Sequence, residues 1–337
     1  MRRAPLVCAL ALGLGLVAAP FLFGMFDRAP KGAVMLDEFR PFMTAENIAT
    51  FEGYLVEMDA ADAEARGELR AFLAESGAVP DAQFDQRFPL VESFSKQWPG
   101  IDEDMSGLLA DVGGNVGNYE AVDALPPFTL FPWFFVGPGL LIAGVSGFAL
   151  ARRPTGGAAR WVLVALGVGL IAAPAVFQMF TRAPDGGEMI DTFRPIMERE
   201  RVQRIQGYFV TIGAAEGSLR AEALPLAQES GGLGDTDLDE VFPAIRELNR
   251  DWQTIVADDT GFAAMVGAMS DNVDNYEAVD ALPPFPLFPW FFVVPGVLVI
   301  ALAIASKRGS VAAAPAPAPA TKVRTPLEPS VTQRSTR

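Results

Sequence analysis

Histidine is absent from all 337 residues, and cysteine occurs once, as Cys8. Without an imidazole, Ser-His-Asp and Cys-His catalysis, histidine-ligated zinc and a histidine pH switch are excluded. A lone cysteine excludes an intramolecular disulfide and any multi-cysteine metal site. The expected role of Cys8 is that of a buried apolar side chain near the inner leaflet. Lysine is scarce, 4 residues against 22 arginines, and with abundant Ala, Gly and Pro this bias points to a GC-rich bacterial genome. Basic charge is short altogether: 26 Lys and Arg face 41 Asp and Glu, for a net charge of −15. Nucleic acid is therefore not an expected partner, because binding it needs a basic surface that releases counterions. No glycine-rich phosphate cradle, nucleophile elbow or twelve-residue calcium loop is present. No cofactor, metal or catalytic residue is expected, and the chain reads as a non-enzyme.

Charge is also missing locally. Ala4–Phe26, Leu125–Ala151, Trp161–Thr181 and Ala281–Ser306 contain no Asp, Glu, Lys or Arg. Each supplies the roughly 20 apolar residues that a helix needs to cross a hydrocarbon core. The acids lie between them: residues 27–127 hold 20 acids and 7 bases, and residues 181–285 hold 20 acids and 8 bases. The remainder carries 11 bases and one acid, including Arg2, Arg3, Arg152, Arg153, Arg160, Lys307 and Arg308. Basic short loops stay in the cytoplasm, so both termini are expected inside a bacterial cytoplasmic membrane and both acidic segments outside. The expected layout is an N-terminus and first span (1–26), an outer helical domain (27–127), a second span (128–151) and an inner loop (152–160). A third span (161–181), a second outer helical domain (182–285), a fourth span (286–306) and a disordered inner tail (307–337) follow. The first span resembles a signal peptide, but its Gly15–Phe26 stretch returns mid-chain as Gly169–Phe180, so a retained anchor is expected.

That return belongs to a longer repeat. Arg28-Ala29-Pro30, Phe39-Arg40-Pro41 and Gly53-Tyr54 recur 154 residues later. After a three-residue change of offset, Asn118–Phe128 is identical to Asn275–Phe285, and LFPWFFV recurs at 130–136 and 287–293. The chain thus reads as an all-α integral membrane protein built by internal duplication, span–bundle–span written twice, with two tandem outer bundles. Apolar residues mostly at steps of three and four, such as Met35, Phe39, Phe42, Ile48, Phe51 and Leu55, recur as apolar residues in the second copy and mark helix faces. Glu-Ser-Gly at 75–77 and 229–231 suits a helix end with a left-handed glycine. Pro99-Gly100 suggests a loop, and the offset changes just beyond it.

The site candidates are modest. Trp133, Phe134 and Phe135, with Trp290, Phe291 and Phe292, fall where aromatic rings settle at a membrane interface. Asp37 and Arg40 with Glu120 and Asp123, and Asp191 and Arg194 with Glu277 and Asp280, are candidates for a structural ion pair or a partner patch. Ala11, Gly15 and Ala19, and Ala165, Gly169 and Ala173, form small-residue stripes that suit close packing between spans. The expected function is a scaffold or accessory protein of the envelope, binding a protein or lipid partner or self-associating in the membrane. The alternatives are a sensor that signals through a membrane partner, or lipid handling at the outer leaflet.

Overall fold

The computed structural model describes residues 3–152 and 157–306. The expected tail and residues 153–156 of the expected loop lie outside the described residues. The first half runs α1 (Arg3–Leu22), α2 (Met25–Phe39), α3 (Ala45–Glu64), α4 (Arg70–Glu75), α5 (Phe84–Arg87), α6 (Pro89–Gly114), α7 (Val116–Asp123) and α8 (Phe131–Arg152). The second runs α9 (Ala158–Val176), α10 (Met179–Phe193), α11 (Arg199–Ser218), α12 (Leu224–Gly231), α13 (Asp235–Val241), α14 (Pro243–Ala257), α15 (Phe262–Asp280) and α16 (Phe288–Ala305). No strand occurs among the described residues. Helices α1, α8, α9 and α16 are long and apolar enough to cross a membrane.

Local chemistry sets most of the boundaries. The Thr44 hydroxyl accepts from the Asn47 amide at 3.2 Å and caps α3. Pro89 and Pro243 open α6 and α14, where a missing N–H costs nothing. The chain turns from each span into the next helix through a left-handed residue, Gly24 in one half and Gln178 in the other. A π turn follows α3 at Ala65–Leu69 and α11 at Leu219–Ala223. Three expectations need correction. Cys8, expected to be buried, is exposed on α1. Gly77 does adopt the left-handed conformation, but in the second half Gly232 does so and Gly231 remains helical. Pro99-Gly100 is not a loop, because α6 continues through it to Gly114. The second half breaks instead at Asp258–Gly261, between α14 and α15, where the extra residues of the longer offset are accommodated.

The larger correction concerns the bundles. They are not two tandem units, because the principal partner of each long body helix lies in the other half. Helix α2 packs on α15 and α10 on α7; α3 packs on α14 and α11 on α6. Contacts within a half, α3 with α6 and α11 with α15, close a single helical body. Apolar periodicity marks which faces are buried but not whose faces meet, so halves with similar apolar faces leave the pairing open in the sequence. Phe262 shows the result: its ring lies 4.6 Å from that of Phe51 in the other half and 4.9 Å from that of Phe209 in its own.

The spans pair mainly within halves, α1 with α8 and α9 with α16, while α1 also touches α16 and α8 touches α9. Backbones meet at Gly13 with Gly139 and at Gly167 with Gly296. A Cβ on Gly13 would lie 2.8 Å from the Gly139 carbonyl oxygen, and one on Gly167 would lie 2.7 Å from that of Gly296. The expected small-residue stripes are displaced from these contacts by two residues. Ala11, Gly15, Ala165 and Gly169 are exposed, Ala19 and Ala173 are partly so, and no atom lies near a Cβ built on Gly15 or Gly169. A shift of two residues turns a helix face by about 200°, which carries the stripes away from the close glycine contacts; on α9, Ala165, Gly169 and Ala173 line a groove shared with Phe134 and Pro138 of α8.

Candidate functional site

The region where the body meets the spans gathers most of the predicted residues. Arg40, just past the end of α2, donates to both oxygens of Asp123 at 2.6 and 2.9 Å and to Asp37 at 2.9 Å. Arg194 makes the matching fork to Asp280, with Asp191 at 2.9 Å. Hydrogen bonds from Arg40 to Asp37 and Asp123 raise the Arg40 guanidinium pKa, and those from Arg194 to Asp280 and Asp191 raise that of Arg194. Glu120 and Glu277 are exposed on the far face and take no part in these pairs. Half-exposed pairs of this kind position helices more than they stabilise them.

Beside the ion pairs lie two buried tyrosines. The Tyr119 hydroxyl donates to the Leu36 carbonyl at 2.7 Å, and the Tyr276 hydroxyl donates to the Ile190 carbonyl. Burial, with Asp123 nearby, pushes the Tyr119 phenol up to about 12, and burial and Asp280 act likewise on Tyr276. Both rings wall an apolar chamber with about 50 Å³ of free space between the two halves. Six methionines line it: Met35, Met43, Met189, Met197, Met265 and Met269. Phe39 and Phe193 are only partly buried and stand at its edges. Toward the spans, a column of ring pairs crosses from one half to the other. Phe128 meets Phe285 at 6.1 Å, Phe131 meets Phe288 at 5.9 Å, and Phe135 meets Phe292 at 4.7 Å.

That column divides the predicted aromatic belt. Trp133 and Trp290 face outward, 58% and 52% exposed, as an interfacial anchor requires. Phe134 and Phe291 are partly buried and reach rings of the opposite half, Phe177 at 5.8 Å and Phe23 at 6.4 Å. Phe135 and Phe292 are core residues rather than interface aromatics.

Three features escaped the pattern of residues. Glu64 is 8% exposed and accepts from the Ile245 amide at 2.8 Å, so a carboxylate of one half caps the first turn of α14 in the other. Burial raises its pKa, and the two backbone donors oppose that. Asp104 accepts from Arg201 at 2.6 Å and from the Tyr208 hydroxyl at 2.6 Å, bridging α6 and α11. Burial works to raise the Asp104 carboxyl, but these donors and the charge of Arg204 outweigh it and hold the group below its usual range. At the matching contact of α3 with α14, Glu57 faces Glu247 and Asp251, and its Oε2 is buried without a partner. Burial and those carboxylates raise its pKa. The only signal for the methionine chamber was the recurrence of Met35 and Met43 as Met189 and Met197. Among the described residues, no group of three His, Cys, Asp or Glu side chains is arranged to hold a metal. No protein-family model matches the chain, and no curated protein matches it in sequence.

Proposed function

We propose that this chain is a non-enzymatic scaffold or accessory protein of a bacterial cytoplasmic membrane, duplicated internally, with both termini inside and its helical body outside. The observation that supports it is the exchange of helix partners between the halves, α2 with α15 and α10 with α7. A body closed in this way ties four spans to one unit and presents an acidic exterior of fixed shape. A basic protein partner is the expected ligand of that exterior, and a second copy would meet the chain through its spans. Membrane lipids contact the spans and the two outward tryptophans.

Crosslinking in native membranes, followed by mass spectrometry of the captured species, tests the proposal. A stoichiometric partner crosslinked to body lysine or carboxylate positions supports it, and a protein recovered only as single chains argues against it. Sidedness has its own test. Cysteines at Ser76 and Glu229, both on exposed turns or helix ends, should react with a membrane-impermeant maleimide in intact cells. A sensor is the second reading, favoured by the left-handed junctions at Gly24 and Gln178, which join each span to a body helix held by the opposite half. A shift of α2 or α10 would there be passed to α1 or α9.

A further inference from the structure

We propose that the methionine chamber binds a single hydrocarbon chain, supplied either by a free fatty acid or by the acyl tail of a membrane lipid. The proposal goes beyond the scaffold reading, since a bound chain is compatible with a scaffold or a sensor. It also places the ligand inside the body rather than at the aromatic rim.

The lining decides the chemical class. No polar atom faces the interior, because Tyr119 and Tyr276 direct their hydroxyls to the backbone carbonyls of Leu36 and Ile190. A cavity without polar partners does not hold water well and favours an apolar occupant. A nucleotide, sugar or ion would find no hydrogen bond there. The shape favours a chain over a compact ring. A second cavity, with about 10 Å³ of free space, shares Met35, Leu36, Met189 and Ile190 with the chamber and lies on its span side. Its far wall includes Phe128 and Phe285, which begin the turns leading into α8 and α16. The smaller space therefore lies between the chamber and the rings that begin the turns into α8 and α16, with Met35, Leu36, Met189 and Ile190 as the flexible wall that it shares with the chamber.

The size shows how a chain would enter. The free space of about 50 Å³ is well below the roughly 150 Å³ of an engineered cavity that accepts benzene. The walls must give way, and methionine is the side chain best suited to that, being unbranched, polarizable and rich in rotamers. Partly buried Phe39 and Phe193 offer side entrances next to Arg40 and Arg194, and the Phe128–Phe285 pair closes the lower end.

The test uses the full chain in phospholipid vesicles with two photoreactive probes: a diazirine fatty acid, and a phosphatidylcholine carrying a diazirine in one acyl tail. After irradiation, adducts are mapped by peptide mass spectrometry. Adducts on peptides spanning 35–43, 189–197 and 265–269, reduced by excess palmitate, are expected. Met269→Ala enlarges the chamber and should raise this labelling about threefold, whereas Met197→Trp fills it and should lower labelling about fivefold. Chamber labelling by the fatty acid alone identifies a free chain, and labelling by the phosphatidylcholine identifies a membrane lipid; either supports the site. Adducts confined to α1, α8, α9 and α16, or chamber labelling unchanged in both variants, would overturn it.

Discussion

Alanine at Gly13 probes the span packing most sharply. Its Cβ would lie 2.6 Å from the Ala143 amide nitrogen and 2.8 Å from the Gly139 carbonyl oxygen. Comfortable contact needs about 3.5–4 Å, so α1 and α8 would have to part by roughly 1 Å. Backbone atoms cannot turn aside as a side-chain tip can. Overpacking of this kind costs about 1–3 kcal/mol, and at about 2–4 °C per kcal/mol the thermal midpoint should fall by several degrees. Gly15, two residues away and on the predicted stripe, has no atom within 4 Å of its built Cβ. Alanine there should be neutral or, through helix propensity, stabilising by up to about 1 kcal/mol. Circular dichroism melts of both variants in one detergent give the comparison, and Gly167→Ala with Gly169→Ala repeats it in the second half. Equal losses at Gly13 and Gly15, or a loss only at Gly15, would refute the packing.

Gln178 is the one non-glycine residue with positive φ among the described residues, at 53°. Gln178→Gly should therefore stabilise by about 1 kcal/mol and Gly24→Gln should destabilise by about as much, read as opposite shifts of the denaturation midpoint. Asp104→Asn should cost about 1–3 kcal/mol at pH 7, because Arg201 and Tyr208 lose a charged acceptor. Since the Asp104 carboxylate is held below its ordinary 3.8, the stability it contributes is present above that value and is lost as pH falls through the depressed one. The gap between Asp104→Asn and the parent protein should close on acidification, and a gap that persists once the carboxylate is protonated would show that the contact acts through shape alone. Asp123→Asn should cost no more than about 1 kcal/mol and less in high salt, as half-exposed pairs do; a larger loss in urea unfolding would mean that the Arg40 fork is a keystone of the body.

Helix type, span positions and the repeated ion-pair partners were legible in the sequence because each leaves a local mark. Charge-free runs mark the spans, steps of three and four mark the faces, and Arg40 is offered either Glu120 or Asp123 as a partner, of which only the aspartate is used. Partner identity leaves no such mark. The apolar face of α2 could pack on α7 of its own half or on α15 of the other, and only the complete set of contacts distinguishes them. The small-residue stripes failed for a related reason. Alanine and glycine are so frequent in α1 and α9 that several four-residue spacings coexist, and the correct one, through Gly13 and Gly167, is set by glycines on α8 and α16. The aromatic run was half right, because successive residues of a helix point about 100° apart. Trp133 therefore faces outward while Phe135, two positions on, turns inward. Glu64 and Asp104 looked like ordinary surface acids, and their roles depend on the opposite half.

The interlocking of the halves is tested most directly by joining α6 to α11. In a Cys8→Ser background, cysteines at Asp104 and Arg201, whose side chains are in hydrogen-bond contact, should be linked rapidly by a short bifunctional thiol reagent. The product should migrate as a single chain with altered mobility, and cleavage between the halves should leave them covalently joined. A pair that stays unlinked, or links only between separate chains, would contradict a body built by exchange of helices within one molecule.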